Sequence, residues 1–273
     1  FPTRRSSDLK AANGTLCGPC QVGKHSRGPF HGHFDMTVAK GEIIHSDLCG
    51  PISVTSFGGA KYFVIFVDQR TRYATAVPIR KKSDVLPEFS RFKVFFEKQY
   101  EASIKKFHSD IGGEFEGLLK LLDKEGIVYS RSPPYTPERN GIAERLNRTL
   151  VEMIRAMLNN ALLDLRFWAE ALYMSVEVNN CTLTQVLGSM TPFECLTGKK
   201  PSIGYFRTFG CLVYVHVPDK KRKKLEDKSV EGIVVRCYPH GTYKVYVPHD
   251  NSVQITRDVR FDEGIFPRSE ERR

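Results

Sequence analysis

The sequence predicts a mixed α/β domain followed by a smaller β-domain. Three observations lead to this prediction. Short apolar runs alternate with helix-spaced segments from residue 42 onwards, a long amphipathic helix follows them, and residues 211–261 consist of short alternating runs separated by turns. Strands that alternate with helices are typical of a sheet covered by helices, whereas short strands in succession favour a small barrel or sheet.

The first four elements each have a local signal. Residues 42–49 are an apolar run that ends in Gly-Pro, which predicts a strand stopped by a turn. Residues 61–79 predict two strands around the polar turn Asp68–Arg72. Residues 84–99 predict a helix whose apolar face carries Val85, Phe89, Phe92, Phe95 and Phe96.

The next elements continue the alternation of strands and helices. A strand, a helix, a strand and a stiff loop are predicted in turn at 103–110, 114–125, 126–130 and 132–137. A long helix then runs from about Asn140, a candidate N-cap, to Asn159, with apolar residues at 3.6-residue spacing. The order β-β-β-α-β-α-β-α predicts a mixed sheet with flanking helices.

A helical stretch near 165–180 separates this unit from a C-terminal β-domain that contains a basic loop, Pro218–Lys228. Residues 1–9, FPTRRSSDL, match a translated sequencing-adapter read, so we expect them to be an artefact. The remaining boundaries that we predict are a Gly-, His- and Cys-rich segment, a core domain and a small β-domain at 10–35, 36–200 and 201–273.

Composition restricts the class of partner. The chain has 273 residues and a net charge of +10, which indicates either a solvated basic surface or a phosphate-backbone partner. We find no membrane-spanning stretch and no signal-peptide pattern, and therefore expect an intracellular protein that does not bind membranes. Five scattered cysteines are interpreted as reduced core thiols: Cys49, Cys181, Cys195, Cys211 and Cys237.

Three carboxylates are candidates for chemistry. The tripeptide His-Ser-Asp occurs twice and places Asp47 and Asp110 at the ends of two predicted strands. Either one could simply be a polar strand end. Glu144 lies in the first turn of the long helix, where the helix dipole and an i, i+4 pair with Arg148 would also explain it. Together, however, they could supply the hard oxygen ligands that two divalent ions need for phosphoryl transfer.

Three stretches around these carboxylates resemble the signature segments of Ty1/copia-type retrotransposon integrases, in the family's order. They are HSDLCGP, FHSDIGGEF and PYTPERNGIAERLNRTL. The segments PFECLTGKKPSIGYFRTFGCLVYVHV and SVQITRDVRFDE also resemble those that follow the core in this family, so the resemblance covers nearly everything after residue 15.

The resemblance implies a ribonuclease H-like core with a β-barrel-like domain after it, as part of a Gag-Pol polyprotein. It implies that Asp47, Asp110 and Glu144 bind two Mg²⁺ or Mn²⁺ ions. The activity implied is 3′-end processing of the element's DNA and its strand transfer into target DNA. A homo-oligomer on DNA, a cytoplasmic particle stage and integration in the nucleus are further expectations.

Departures from the family pattern keep an alternative open. Ile111 stands where Asn is usual, Glu138 and Arg139 stand where amides are usual, and the stretch between Asp110 and Glu144 is two residues short. The alternative is a decayed or domesticated integrase that binds DNA without catalysis. A hydrolase of another substrate and a purely structural protein are less favoured, because neither explains the ordered motifs.

Cys17 and Cys20 form a CxxC pair that could be a zinc half-site, a redox pair or neither. The resemblance implies a His–His–Cys–Cys Zn²⁺ module, but His25, His31 and His33 all lie after the cysteines, in the wrong order. We therefore expect only a partial Zn²⁺ site in this sequence.

Candidate DNA-binding residues lie near the carboxylates and in the basic loop. Tyr135 and Asn140 flank the predicted site, where either a structural loop or a DNA-contacting rim would explain them. Arg148 lies on the same helix as Glu144. The loop carries a basic run for which solubility and phosphate contact are both possible roles: Lys220, Lys221, Arg222, Lys223 and Lys224.

Overall fold

A computed structural model of the chain describes residues 36–109, 116–131 and 140–267. The first sheet has five strands: β1 Ile43–Cys49, β2 Tyr62–Asp68, β3 Ala74–Ile79, β4 Lys106–Ser109 and β5 Val128–Arg131. Their order is β3-β2-β1-β4-β5. The pairs β1–β2 and β2–β3 are antiparallel, whereas β1–β4 and β4–β5 are parallel, so the predicted mixed sheet is confirmed.

Five α-helices accompany the described strands: α1 Val85–Tyr100, α2 Glu116–Lys124, α3 Gly141–Asn160, α4 Trp168–Cys181 and α5 Pro192–Thr197. The helices predicted within the first unit are therefore confirmed. None of the helices in the described part of the chain is long and apolar enough to cross a membrane.

The core between α1 and the sheet is rich in phenylalanine. Phe92 stacks on Phe66 of β2 with ring centroids 4.7 Å apart, and Phe89 meets Phe107 of β4 edge-on at 4.8 Å. Such pairs add specific geometry to the burial of a large apolar surface. They fix α1 against the middle strands of the sheet.

The prediction that Phe95 belongs to the buried face of α1 was wrong. Its side chain is 59% exposed and meets Tyr100 edge-on at 6.2 Å. At about 100° per residue, Phe92 and Phe96 point to nearly the same side of the helix, whereas Phe95 is turned about 100° away from Phe96. The other predicted members of that face are buried.

The C-terminal unit is a five-stranded antiparallel sheet, which we describe as a sheet rather than as a closed barrel. Its strands are β6 Leu212–His216, β7 Ser229–Tyr238, β8 Thr242–Val247, β9 Ser252–Thr256 and β10 Val259–Asp262. Their order is β10-β6-β7-β8-β9. The basic loop joins β6 to β7 and is closed at its base by the Val217 amide, which donates to the Lys228 carbonyl at 2.9 Å.

Candidate active site

The end of β1 presents Asp47 beside helix α3. Asp47 is half-buried, and its Oδ1 accepts a hydrogen bond from the Leu48 amide at 2.9 Å. Its Oδ2 accepts a bond at 2.5 Å from the side-chain amide of Asn147, which is buried on α3. The carboxylate of Asp47 is therefore held between its own strand and the second turn of the helix.

A second contact holds the start of α3 against the same strand. Asn140, the fully buried N-cap residue, donates from its side-chain amide to the Ser46 carbonyl at 3.2 Å. Asn140 occupies the predicted N-cap position, but its side chain makes no capping bond because it bonds across to β1 instead.

Glu144 lies between these two contacts in the sequence. It is half-buried in the first turn of α3, four residues after Asn140 and three before Asn147. Residues three and four apart are neighbours on a helix surface. Asn140 and Asn147 both reach β1 next to Asp47, so this face of α3, which also carries Glu144, is turned towards the end of that strand.

The predicted partner Asp110 lies outside the described residues. The described part of β4 ends at Ser109, which is paired in parallel with Ser46 of β1. In the sequence, Asp47 follows Ser46 and Asp110 follows Ser109. Tyr135, Cys17 and Cys20 also lie outside the described residues.

The two histidines of the repeated tripeptide lie below the site. His45 and His108 are paired in register and buried, with ring centroids 5.1 Å apart. The Nε2 of His45 is 2.8 Å from the Gln69 side-chain oxygen. Burial, aided by the charges of His108 and Arg72, lowers the pKa of His45 to about 4 despite the Gln69 hydrogen bond. His45 is therefore neutral near pH 7.

The chemistry of the donors fits a hard divalent cation. Carboxylate oxygens are the ligands that Mg²⁺ and Mn²⁺ prefer, and a carboxylate oxygen has two lone pairs, so one that accepts a hydrogen bond can still bind a cation. Within the described ranges, no group of three or more His, Cys, Asp or Glu side chains is arranged to hold a metal ion. Of the three predicted ligands, the described ranges contain Asp47 and Glu144.

The predicted DNA-binding residues are placed unequally. Arg148 is exposed on α3, and Lys220, Lys223 and Lys224 are exposed in the basic loop. Arg222 differs from these lysines, because its side chain is only 14% exposed and pairs with Asp219, while the side chain of Lys221 lies outside the described residues. The charge of Arg222 is compensated within the loop.

Asn147 is the residue of this site that the sequence predictions did not include. It lies within the AERLNRTL stretch, three residues after Glu144. That helical spacing places it on the face of Glu144 and was the one signal that could have pointed to it.

Comparisons with known proteins agree with this architecture. Residues 211–273 match the family model described as the retroviral polymerase SH3-like domain. The chain is 33% identical over 266 residues to a retrovirus-related Pol polyprotein from transposon TNT 1-94 of Nicotiana tabacum, which covers 95% of this chain and 20% of that protein. It is 34% identical over 252 residues to the Pol polyprotein from transposon RE1 of Arabidopsis thaliana, covering 92% of this chain and 17% of that protein.

A more distant relative is the transposon Ty1-DR4 Gag-Pol polyprotein of Saccharomyces cerevisiae, 28% identical over 184 residues, or 63% of this chain and 11% of that protein. The fold resembles a chain of the simian T-cell lymphotropic virus intasome in complex with PP2A regulatory subunit B56 gamma. The TM-score is 0.52 at 14% identity, with 90% of this chain and 87% of that chain covered.

The mixed sheet, its helices and the trailing SH3-like sheet define the class, which is a chain with the fold of a retroviral integrase. More narrowly, the chain belongs to the copia/Ty1 group of retrotransposon Pol polyproteins and corresponds to their integrase-like region. It spans about a fifth of the length of the plant relatives.

Proposed function

We propose that the chain is an integrase that trims the 3′ ends of the element's DNA and then joins them to target DNA. In the first step, water attacks a phosphodiester near the strand end and releases a short nucleotide fragment. In the second step, the exposed 3′ hydroxyl attacks a phosphodiester of the target, and a target 3′ oxygen leaves. Each step breaks one P–O bond and forms another.

The observation that carries this proposal is the attachment of α3 to β1 at Ser46 and Asp47. Asn140 bonds to the Ser46 carbonyl and Asn147 bonds to the Asp47 carboxylate. These contacts turn the helix face that bears Glu144 towards the strand end that bears Asp47. Carboxylates carried by a strand and a helix that are joined in this way suit metal-assisted phosphoryl transfer, which needs its ligands held on rigid elements.

The proposed metal ligands are Asp47 and Glu144, together with Asp110. Two Mg²⁺ or Mn²⁺ ions bound there would acidify the attacking water and neutralise charge on the reacting phosphate. Asn147 holds the Asp47 carboxylate in a fixed orientation by its hydrogen bond. The buried His45, whose pKa is lowered to about 4, supports the strand and is not needed as a base.

The remaining cations are proposed to hold DNA by its backbone. Arg148 is exposed one helical turn beyond Glu144, and Lys220, Lys223 and Lys224 are exposed in the loop between β6 and β7. Contacts to phosphates fix position without reading sequence. We further propose that the chain acts as a homo-oligomer on DNA, in the nucleus, after a cytoplasmic particle stage.

The test is joining of a labelled oligonucleotide, matching the element's terminal repeat, to plasmid DNA with Mg²⁺ or Mn²⁺. We expect Asp47→Asn, Asp110→Asn and Glu144→Gln each to lower joining at least a hundredfold, because each removes a charged ligand. Glu152→Gln, on the exposed side of the same helix, is the matched control and should retain joining.

The alternative function is DNA binding without catalysis, which the family departures at Ile111, Glu138 and Arg139 favour. Salt-sensitive DNA binding without any metal-dependent joining, also in a chain given a complete His–His–Cys–Cys module at its N-terminus, would support that alternative. Joining that persists in all three carboxylate variants would reject the assigned site.

A further inference from the structure

An apolar cavity of about 530 Å³ opens beside the candidate active site. It lies between the segment that follows β1 and the second half of α3, with the start of α4 as a third wall. Its apolar lining includes Cys49, Ile52, Phe63, Val151, Ile154 and Trp168. Pockets of roughly 300–1,000 Å³ with an apolar lining and few polar groups commonly bind small molecules or small groups of larger ligands.

The cavity is continuous with the site along both elements that build it. Cys49 is two residues beyond Asp47 in β1, which is about 7 Å along a strand. Val151 is four residues beyond Asn147 on α3, which is one helical turn. A molecule held at Asp47 would therefore have its neighbouring part at the cavity.

The far wall of the cavity is fixed in place. Trp168 is buried, and its indole N–H donates to the Val54 carbonyl at 2.9 Å, which ties α4 to the segment after β1. Its ring also lies 6.1 Å from that of Phe63. An aromatic wall held in this way is suited to the face of a flat, apolar ligand.

Charge indicates what kind of ligand this is. Among the described residues that line the cavity, Arg155 is the one with a charged side chain, and it is exposed on α3. Arg148 lies seven residues earlier on the same helix, on nearly the same side. A cation beside an apolar slot complements a flat base attached to a phosphate.

We propose that this cavity binds an unpaired nucleobase at the end of a DNA strand while Arg155 contacts the adjacent phosphate. The inference rests on the proposed function, since that function places a DNA end at Asp47. A terminal base stacks on one side only, so it is the base that leaves a duplex most readily. Base contacts with aromatic and apolar side chains tolerate any sequence, so the cavity would accept whichever base ends the strand.

The chain contains a single tryptophan, and that tryptophan lines the cavity. Trp168 emission therefore reports on the cavity. DNA affinity is measured separately, by the fluorescence anisotropy of labelled DNA. Both measurements use the full chain, and no metal is added. We expect a duplex with a two-nucleotide overhang to quench Trp168. The same duplex with abasic residues in the overhang should bind about tenfold more weakly and quench little.

Two substitutions test the wall and the cation. Val151→Phe narrows the cavity and should weaken binding of the overhang duplex severalfold while leaving the abasic duplex unaffected. Arg155→Gln removes the phosphate contact, which both duplexes share, and should weaken binding of both severalfold. The matched controls are Val94→Phe and Arg91→Gln on the exposed side of α1, which should change neither.

Equal quenching and affinity for normal and abasic overhangs would overturn the inference, whatever the variants do. If joining and binding still occur in that case, the proposed function stands and only the cavity assignment fails. If no duplex binds at all, the proposed function fails with it. If Trp168 is quenched as the protein concentration rises in the absence of DNA, the inference is also wrong. The cavity would then bind an apolar side chain of a second copy of the chain.

Discussion

Asn147 holds the carboxylate of Asp47, two residues before the end of β1, by a side-chain hydrogen bond. Its hydrogen bond to Asp47 joins residues a hundred positions apart in the sequence. The motif pattern located Asp47 and Glu144 because each sits in a recognisable stretch. It could not predict the bond, since spacing along α3 does not state which strand the helix face meets. For Asp110 and Tyr135 the sequence interpretation stays a prediction.

At the residue scale, we predict that Asn147→Leu weakens metal use more than it weakens folding. The substitution keeps the number and branching of side-chain heavy atoms but removes the bond that orients Asp47, so the Mg²⁺ concentration for half-maximal joining should rise about tenfold. Stability should fall by about 1–2 kcal/mol, as for one hydrogen bond to a charged group. Metal titrations and urea unfolding measure the two effects. Asn159→Leu, exposed on the same helix, is the control, and an unchanged metal requirement in Asn147→Leu would contradict the assigned role.

At the scale of elements, helix α1 shows what a hydrophobic pattern can and cannot predict. The spacing predicted the helix and most of its buried face, because residues three and four apart share a side. It failed at Phe95, which is adjacent in sequence to the buried Phe96 but not on the same side of the helix. A list of apolar residues is therefore a weaker guide than the angle that each residue occupies.

The same helix provides a matched pair of substitutions. Phe92→Ala removes a ring stacked on Phe66 and should cost about 3–5 kcal/mol of unfolding free energy, because a cavity remains in the core. Phe95→Ala, at an exposed position, should change it by no more than about 0.5 kcal/mol. Urea unfolding of both variants decides the matter, and similar losses would mean that Phe95 is covered in solution.

Helix α4 joins the C-terminal sheet through charged pairs. Arg236 of β7 and Lys244 of β8 are directly opposite each other, which is unfavourable for like charges. Glu170 of α4 accepts from Lys244 at 2.7 Å, and Glu177 lies 3.6 Å from Arg236. Arg236 also sits 3.8 Å above the ring of Tyr173, one turn before Glu177. The alternating strand pattern predicted the sheet. It did not predict that two glutamates of α4 would offset the repulsion between Arg236 and Lys244.

The pKa of Glu177 gives this joint a pH dependence. Burial raises the pKa of Glu177 above its ordinary 4.5, although the charge and hydrogen bond of Arg236 oppose the rise. The folded state therefore binds the proton more tightly than the unfolded state, and this group's contribution to stability falls as pH rises from 4.5 through the folded pKa. Glu177→Gln should match the parent near pH 4.5 and exceed it in stability near pH 7. Urea midpoints of the parent and the variant at the two pH values test this. A Glu177→Gln variant that is less stable than the parent at pH 7 would show that attraction between Glu177 and Arg236 outweighs the cost of burial.

At the scale of the whole molecule, Arg166 connects the core with the C-terminal sheet. It lies in the short turn between α3 and α4 and donates to the Tyr246 hydroxyl at 3.3 Å and to the Asn251 side-chain oxygen at 3.5 Å. Its guanidinium also lies 5.4 Å from the ring of Phe57 and 5.5 Å from that of Phe167. The charge of the sequence predicted a basic surface. It could not predict that Arg166 would instead contact residues of several elements, because those residues are distant in the sequence.

We predict that Arg166→Met loosens the sheet from the core without unfolding either. The methionine keeps part of the packing against the rings but loses the hydrogen bonds and the cation–π contacts, which together contribute about 2 kcal/mol. Trp168 fluorescence reports on the start of α4 and circular dichroism reports on both sheets.

In the parent the two urea unfolding curves should coincide, and in the variant the dichroism should change at lower urea than the fluorescence. Arg257→Met, exposed beyond β9, should leave them coincident. Coincident curves for Arg166→Met as well, at the parent's midpoint, would mean that the α4 ion pairs alone hold the sheet in place.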